Sequence, residues 1–452
     1  MRPASDSVTE RSALPASRPA RPRASAVPPS MRMRFLSTPD PTPSAAPWLT
    51  IVGIGEDGLA GLGEAAKAAI GAAELVFGGA RHLELAGAAI RGEACAWLSP
   101  FERSVAAVLA ARGRPVVVLA SGDPFFYGVG VTLSRRIARA EMHVIPAPSA
   151  FSLAASRMGW ALQETTCVSL HGRPLDLIRP HLHPGSRILA LTSDSDGPAA
   201  LAALLAASGF GASALTVLEA LGGPRERVSR HRAEGFALAY ADMLNVCAVE
   251  VVAGETARVL AYTPGLADDL FEHDGQITKR EVRALTLSAL APRHGELLWD
   301  IGAGSGSISI EWMLADPSLK AIAVEGHPER AARIARNARN FGVPGLAVVE
   351  GTAPVALAGL AAPDAVFIGG GGSEAGVMEA AIAGLKPGGR LVANAVTTEM
   401  EAVLLAHHAR LGGSLIRIDI ARAAPVGQMT GWRPAMPVTQ WRWVKPANEI
   451  ED

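Results

Sequence analysis

Residues 298–311 read LWDIGAGSGSISIE, and this stretch decides the fold of the second half of the chain. A hydrophobic run leads into an acid, Asp300, and then into Gly302, Gly304 and Gly306. Glycine has no Cβ, so the backbone can pass close to a ligand, and the helix that follows offers unpaired N–H groups. The stretch therefore predicts a strand, a nucleotide-binding turn and a helix.

The surrounding pattern distinguishes this turn from that of a nicotinamide-dependent dehydrogenase. A dinucleotide fingerprint would place its third glycine at position 307, which is Ser307 here. The next strand ends in Glu325, about 20 residues on, where a carboxylate can accept hydrogen bonds from ribose hydroxyls. An acid before the turn suits a ligand that carries a positive amine or sulfonium. The pattern resembles motif I of the class I S-adenosylmethionine methyltransferases. That resemblance implies that Gly351, Thr352 and Ala353, after the third strand, contact adenine.

Composition excludes several classes of protein. The 452 residues suffice for two or three domains of about 150 residues. A formal net charge of −1 argues against a nucleic-acid binder. The three cysteines, Cys95, Cys167 and Cys247, are far apart and lack metal spacing. We therefore expect no disulfide framework and no metal site, and a reducing, cytoplasmic location. Since no run of 18 apolar residues occurs, no membrane span is predicted.

The chain divides into four segments. Residues 1–47 are rich in proline and arginine and poor in acids, which predicts a disordered tail; a transit peptide and a start site assigned too early both remain open. Residues 48–253 alternate short apolar strands with helical patterns, which favours parallel βαβ units. The alternation stops in residues 254–272, a predicted linker, and resumes in residues 273–452. The last two strand-like runs, GSLIRIDIARA and PAMPVTQWRWV, are predicted to pair and to close the second sheet.

A second glycine turn opens the first folded segment. TIVGIGEDG (50–58) contains Gly53 and Gly55, and alone it could be an ordinary strand-to-helix turn. LASGDPFFYGVG (119–130) adds a strand that runs into Gly122 and Asp123, and IPAPSAFSLAASRMG (145–159) adds a Pro-Ser turn at Ser149. These three stretches, in this order, resemble the tetrapyrrole methylase family, the class III S-adenosylmethionine methyltransferases. The resemblance implies a cofactor cleft between two α/β lobes. One departure is Glu56, which stands where the family usually has proline.

A class III domain followed by a class I domain resembles the decarboxylating C5,15-methyltransferases of late corrin synthesis. SLHGRP (169–174) and HDGQITKREVRALTLSAL (273–290) support the same branch, and the second implies that Thr278 lies by the cofactor. The resemblance implies two S-adenosylmethionine sites, one per domain, and a precorrin substrate in cobalamin biosynthesis. It also implies methylation of carbon 5 by the first domain. The second domain would then methylate carbon 15 and remove carbon dioxide from the ring C acetate. We expect no catalytic dyad or triad, because alignment of the reacting atoms supplies much of the barrier reduction. Class I relatives suggest a homo-oligomer.

The carboxylates of such a substrate predict arginine contacts, because guanidinium binds carboxylate through two hydrogen bonds. The favoured candidates are His171, Arg173 and Arg433. Weaker candidates are Arg81, Arg103, Arg280, Arg283 and Arg422. Trp432 could stack on the macrocycle or belong to the core. Three rival interpretations stay open: a fused methyltransferase for another tetrapyrrole, a dehydrogenase, and a tetrapyrrole carrier in which one or both sites are relics.

Overall fold

The computed structural model describes residues 47–447, so the predicted tail lies outside the described residues except for Pro47. The described chain contains two five-stranded sheets, one seven-stranded sheet and a separate two-stranded hairpin. The first two sheets form the two lobes of the first domain, and the seven-stranded sheet is the core of the second.

The first sheet is entirely parallel, with the order β3-β2-β4-β1-β5. Its strands are β1 (Leu49–Ile54), β2 (Leu75–Gly78), β3 (Glu93–Ala96), β4 (Val116–Ser121) and β5 (Met142–Ile145). Its helices are α1 (Glu64–Ala72), α2 (Ala80–Ala86), α3 (Phe101–Ala110) and α4 (Val129–Ser134). Helices cover the sheet, so the central strands are continuous apolar runs. Because Ile54 pairs with Ser121, the turns after β1 and β4 meet at one edge.

The second sheet is mixed, with the order β6-β7-β10-β8-β9. Its strands are β6 (Thr165–Ser169), β7 (Arg187–Leu191), β8 (Ala214–Glu219), β9 (Arg227–Arg232) and β10 (Asn245–Glu250), with helices α5 (Ala150–Met158) and α6 (Gly197–Ala207). Only β6 and β7 run parallel. The expectation of parallel units throughout is wrong for this lobe. The turn between β8 and β9 is too short for a parallel crossover, which needs a dozen or more residues.

The third sheet has the order β13-β12-β11-β14-β15-β19-β16. Its strands are β11 (Leu297–Ile301), β12 (Lys320–Glu325), β13 (Ala347–Glu350), β14 (Ala365–Ile368), β15 (Arg390–Ala395), β16 (Ser414–Ile418) and β19 (Val438–Val444). Its helices are α7 (Arg280–Leu290), α8 (Ser307–Ala315), α9 (Pro328–Asn340), α10 (Val377–Gly384) and α11 (Thr398–Leu411). The strands β11 to β15 are parallel, and β19 runs antiparallel between β15 and β16. This pairing confirms the predicted closing strands. The hairpin of β17 (Ala421–Val426) and β18 (Met429–Pro434) was not predicted.

A buried arginine fastens the segment before α7 to the third sheet's helices. The side chain of Arg283 is fully buried and donates to Glu311 (2.6 Å) and to the carbonyl of Thr278 (2.7 Å). Glu311 in turn accepts from the N–H groups of Gly265 (2.6 Å) and Leu266 (3.0 Å). Arg283 therefore braces the loop that holds Thr278 and is too deep to reach a substrate, which corrects its assignment as a substrate contact.

Candidate active sites

The second domain contains a cavity of about 720 Å³ at the carboxyl ends of its parallel strands. In open α/β sheets this edge is where ligands bind. Seven predicted cofactor residues line this cavity: Thr278, Gly302, Gly304, Glu325, Gly351, Thr352 and Ala353. They come from the three turns after β11, β12 and β13 and from the loop before α7, and the parallel order of these strands brings them together.

The glycine turn after β11 can be built only from glycine. Gly302, Gly304 and Gly306 have φ values of +69°, +59° and +76°, in the left-handed region that other residues avoid. A Cβ on Gly302 would lie 2.5 Å from the carbonyl oxygen of Gly370. Gly306 lies outside the cavity lining and directly precedes α8, and a Cβ there would meet Ile334 at 2.8 Å. The first two glycines shape the cavity, and the third permits close packing of α8.

Glu325 joins the end of β12 to this turn. Its Oε2 accepts from the N–H of Gly304 (2.8 Å) and its Oε1 from the N–H of His327 (2.9 Å). Each carboxylate oxygen keeps a lone pair after these bonds. Since Glu325 lines the cavity, those lone pairs are placed to accept from the hydroxyls of a ribose.

Asp300 lies beneath the turn and not among the residues that line the cavity. It is 1% exposed, and its Oδ2 accepts from the N–H (3.1 Å) and Oγ (2.7 Å) of Ser309. Its Oδ1 has no partner among the described residues. Burial raises the pKa of Asp300 to about 6, the Ser309 hydrogen bonds oppose this rise, and the charge of Glu325 adds to it. A cation bound above the turn would stabilise the ionised carboxyl. Direct contact with a ligand stays a prediction.

Asn394 lines the cavity but was not chosen from the sequence, because no motif marks it. Arg422, a weaker substrate candidate from the sequence, also lines the cavity, and it belongs to the unpredicted hairpin. Arg433, on the paired strand, is exposed and lies outside the lining of either cavity, as does Trp432, which is 75% exposed. Arg422 is therefore the hairpin arginine placed at the cavity.

The loop above the glycine turn is held by ion pairs. Asp274 accepts from Arg330 (2.8 Å) and pairs with Arg333 (3.2 Å). The hydrogen bond from Arg330 holds the pKa of Asp274 far below its usual value, with help from the N–H of Gln276. Arg330 also lines the cavity, so this pair connects the loop before α7 to the cavity.

The first domain contains a cavity of about 480 Å³ between its two lobes. Five predicted residues line it: Gly55, Arg81, Gly122, Ser149 and His171. Gly53, Asp123 and Arg173 lie next to it. The Cβ of any other residue at Gly53 would fall 1.8 Å from the carbonyl oxygen of Gly122, so β1 and the turn after β4 touch through their backbones.

The turn at Gly122 is shaped by local hydrogen bonds. Gly122 has a φ of +53°, and a Cβ there would lie 2.7 Å from the carbonyl oxygen of Pro148. Asp123 Oδ1 accepts from the N–H of Phe125 (2.8 Å), which folds the chain back after the strand. Ser149 caps α5 by accepting from the N–H of Ser152 (3.1 Å).

The two substrate candidates of this domain lie at the edge of the cavity. His171 Nδ1 is 3.3 Å from the carbonyl oxygen of Thr192, and His171 lines the cavity. The guanidinium of Arg173 lies 5.5 Å from the ring centroid of Tyr127, a cation–π distance. Arg173 is exposed, so its charge remains accessible to a ligand.

Glu56, where the resemblance expected proline, forms an ion pair inside this cavity. Its carboxylate pairs with Arg81, whose Nη2 donates to Ser121 Oγ (3.1 Å) and to His82 Nε2 (2.9 Å). Burial, and then the charge of Arg81, lower the pKa of His82 to about 4. His82 is therefore neutral at neutral pH, and its Nε2 accepts from Arg81. Arg81 is thus a fixed cation in the cavity lining, as proposed from the sequence for a carboxylate contact.

Within residues 47–447, no group of three or more histidine, cysteine or acidic side chains is arranged to bind a metal ion. No helix in the same range is long and apolar enough to cross a membrane.

Two family models match different parts of the chain. The family described as Tetrapyrrole (Corrin/Porphyrin) Methylases matches residues 48–237, and the Precorrin methyltransferase domain family matches residues 269–445. A Sinorhizobium protein named precorrin-6Y C(5,15)-methyltransferase [decarboxylating] is 72% identical over 88% of this chain and 97% of its own length. The chain belongs to this methyltransferase family. The Mycobacterium tuberculosis protein of the same name is 41% identical over 88% of this chain and all of its own length. The solved C-terminal domain of the Rhodobacter capsulatus enzyme is 52% identical, with 41% of this chain and 100% of that domain covered and a TM-score of 0.40.

Family membership makes S-adenosylmethionine the methyl donor, and the second cavity fits it. Glu325 offers acceptors for ribose hydroxyls, the left-handed turn leaves room beside the backbone, and Asp300 keeps an unpartnered carboxylate oxygen below.

Proposed function

We propose that the chain methylates carbon 5 and carbon 15 of precorrin-6B and removes carbon dioxide from the ring C acetate, giving precorrin-8X in cobalamin biosynthesis. The observation that carries the proposal is the presence of two cavities in one chain. Each is built on carboxyl ends of parallel strands around a left-handed glycine turn. The close relative, whose name states both methylations and decarboxylation, extends over both domains.

We further propose one S-adenosylmethionine site per domain and a division of labour between them. The first domain methylates carbon 5, and the second methylates carbon 15 and decarboxylates. A Salmonella typhimurium protein named cobalt-precorrin-6B C(15)-methyltransferase (decarboxylating) supports this division. It is 34% identical over 41% of this chain, and the match covers all of its own length. That protein is about as long as one domain of this chain, and its name states both methylation of carbon 15 and decarboxylation.

The residues of the chain act mainly by positioning. The bound cofactor supplies a methyl group on a positive sulfonium. Glu325 and the Gly302–Gly304 turn would hold the nucleoside end of the cofactor, and Thr278, which also lines the cavity, would lie beside it. Bridging carbons of a reduced tetrapyrrole are enamine-like nucleophiles, so the acceptor needs no strong base. Holding the two reacting carbons in line can lower the barrier by about 7–11 kcal/mol.

The substrate carboxylates are expected to meet the cations of each cavity. In the first domain these are Arg81 and, at the edge, His171 and Arg173. In the second they are Lys279, Arg330 and Arg422. Arg433 stays a proposal that requires movement of the hairpin or a neighbouring subunit. We also propose a homo-oligomer, supported by the exposed Met429 and Trp432 of the hairpin, and a cytoplasmic location, supported by three free cysteines.

Product analysis tests the proposed function. The purified chain is incubated with precorrin-6B and excess S-adenosylmethionine, and the product mass and released carbon dioxide are measured. The expected product is heavier by two methyl groups and lighter by one carbon dioxide. A chain that binds the cofactor but leaves precorrin-6B unchanged would show that the substrate is another tetrapyrrole. One methyl without decarboxylation would mean that only the first domain is active.

A further inference from the structure

A buried amide network forms one end of the second cavity. Asn394, in β15, lines the cavity and is half-buried. Its two partners, Thr286 of α7 and Gln440 of β19, are 0% and 2% exposed. The cofactor residues lie on β11 to β13, and β14 separates them from β15, so Asn394 is at the end where an acceptor can bind.

The hydrogen bonds of this network fix the orientation of the Asn394 amide. Thr286 Oγ1 donates its single proton to the carbonyl of Val282 (2.8 Å), so it can only accept from other groups. It accepts from Asn394 Nδ2 (2.9 Å) and Gln440 Nε2 (3.2 Å). Gln440 Nε2 also donates to Asn394 Oδ1 (2.9 Å). Reversing the amide would oppose two acceptors at Thr286, so Nδ2 must face Thr286. Its second N–H has no partner among the described residues.

The wall around Asn394 is apolar. Val282, Ile418, Ile420 and Val438 pack together, and all four line the cavity. Three cations that line the cavity are paired with acids: Arg330 with Asp274, Arg422 with Glu281, and Lys279 with Asp268 at 4.0 Å. A carboxylate placed at Asn394 would therefore meet a neutral donor and a hydrocarbon surface.

We infer that Asn394 donates its free N–H to the ring C acetate carboxylate that leaves as carbon dioxide, and that Thr286 and Gln440 are positioning residues for it. This inference rests on the proposed function of the second domain. A carboxylate at an apolar wall loses hydration, which the single hydrogen bond replaces only in part. An arginine at this place would stabilise the carboxylate more than the departing neutral carbon dioxide, and so would slow its release.

The step balances in atoms and electrons. Carbon 15 forms a bond to the methyl group, the carbon–sulfur bond breaks, and the sulfur keeps that electron pair. The macrocycle gains one positive charge. The bond between the acetate methylene and its carboxylate then breaks, its electron pair neutralises the macrocycle, and carbon dioxide leaves. A proton shift within the macrocycle converts the remaining methylene to methyl.

The test measures carbon dioxide released per methyl group transferred to carbon 15, in full-length protein with precorrin-6B. Asn394→Asp keeps the shape but replaces the donor with a negative charge. Thr286→Val removes the acceptor that orients the amide, and Thr286→Ser is its matched control because it keeps the hydroxyl. We expect Asn394→Asp to lower kcat/KM for carbon dioxide release by about 10- to 100-fold, because the acetate loses its donor and is repelled from the apolar wall where it must lie; this is the range for a lost hydrogen bond to a charged group. Thr286→Val should lower it by less, and Thr286→Ser should remain close to the unchanged protein.

Further readouts separate positioning from packing. S-adenosylmethionine affinity should be unchanged in all three variants, because the cofactor turns lie on other strands. The inference would be overturned if Asn394→Asp and Thr286→Val both released carbon dioxide at the wild-type rate and with the wild-type ratio of carbon dioxide to transferred methyl. A lower melting temperature of these variants would not change that conclusion. Loss of cofactor binding together with activity would overturn it as well, because the network would then be structural. If the unchanged protein releases no carbon dioxide, the proposed function itself fails, which is a distinct result.

Discussion

Replacing Asp300 with asparagine should change how the stability of the second domain depends on pH. Asp300 is 1% exposed and receives two hydrogen bonds from Ser309 on one oxygen only. Burial raises its pKa from 3.8 to about 6, and the nearby Glu325 charge acts in the same direction. The folded protein therefore binds this proton more tightly than the unfolded chain does.

The direction and the magnitude of this pH dependence follow from the linkage between proton binding and folding. A carboxyl with a raised pKa in the folded state contributes stability that is fully present below its unfolded pKa, near 4. That contribution is lost as the pH rises through the folded pKa of about 6. Each unit of pKa shift corresponds to about 1.4 kcal/mol, so ionised Asp300 costs about 3 kcal/mol in the absence of ligand.

Asparagine keeps an oxygen for Ser309 and cannot ionise. We expect Asp300→Asn to be more stable than the unchanged protein by up to about 3 kcal/mol above pH 7, with the gap closing toward about pH 4. Urea unfolding of both proteins across this pH range, followed by tryptophan fluorescence, measures the difference in their free energies of unfolding. Other titrating groups contribute equally to both proteins, so their effects cancel in this difference. A gap that stays constant between about pH 4 and pH 8 would refute the reasoning.

Cofactor binding gives the same carboxyl a second readout. A sulfonium or amine above the turn stabilises ionised Asp300, so binding releases a proton near the group's pKa. Affinity of the second site for S-adenosylmethionine should therefore increase between pH 5 and pH 7 in the unchanged protein. In Asp300→Asn the affinity for S-adenosylmethionine should be weaker and should not change between pH 5 and pH 7. Calorimetry measures both.

Three further predictions address other parts of the chain. Gly304→Val places a β-branched residue at φ +59°, so cofactor stoichiometry by calorimetry should fall from two per chain to one; an unchanged stoichiometry would contradict the placement of the site. Asp123→Ala removes the acceptor that shapes the turn after β4. Mass analysis should then show loss of carbon 5 methylation, while carbon dioxide release is retained. Full activity of this variant would favour the alternative in which the site of the first domain is a relic. Arg283→Met leaves Glu311 buried without its partner and should destabilise the protein by about 3–5 kcal/mol in chemical unfolding. Adding Glu311→Leu should restore part of that stability. If the two substitutions instead destabilised the protein additively, Arg283 and Glu311 would not be a coupled pair.

Local sequence signals predicted the elements that carry the cofactor turns. LTIVGI forms β1 with the predicted bounds, because an apolar run bounded by glycine is typical of a buried parallel strand. Gly302 and Gly304 were recognisable because only glycine tolerates a left-handed turn that also touches another backbone. Such signals lie within a dozen residues, so they can be read without knowledge of the fold.

The features that escaped prediction depend on residues distant in the chain. β9, RVSRHR, has no apolar alternation, and it is an exposed edge strand that pairs through its backbone with β8. Arg283 was a candidate substrate contact, but it is buried, and Glu311 and the carbonyl of Thr278 compensate its charge in the interior. Asn394 gained its orientation from Thr286 and Gln440, which are 108 and 46 residues away. Partners of this kind are set by the topology of the sheet, which local patterns do not specify.

The measurement that tests the central claim most directly is the position of each transferred methyl group. Precorrin-6B and ¹³C-methyl S-adenosylmethionine are given to Gly122→Val, to Gly304→Val and to a mixture of both, and the products are examined by NMR and for carbon dioxide. We predict that Gly122→Val never labels carbon 5, that Gly304→Val neither labels carbon 15 nor releases carbon dioxide, and that the mixture restores both labels. Carbon dioxide release by Gly304→Val, or carbon 5 labelling by Gly122→Val, would contradict the assignment of one reaction to each domain.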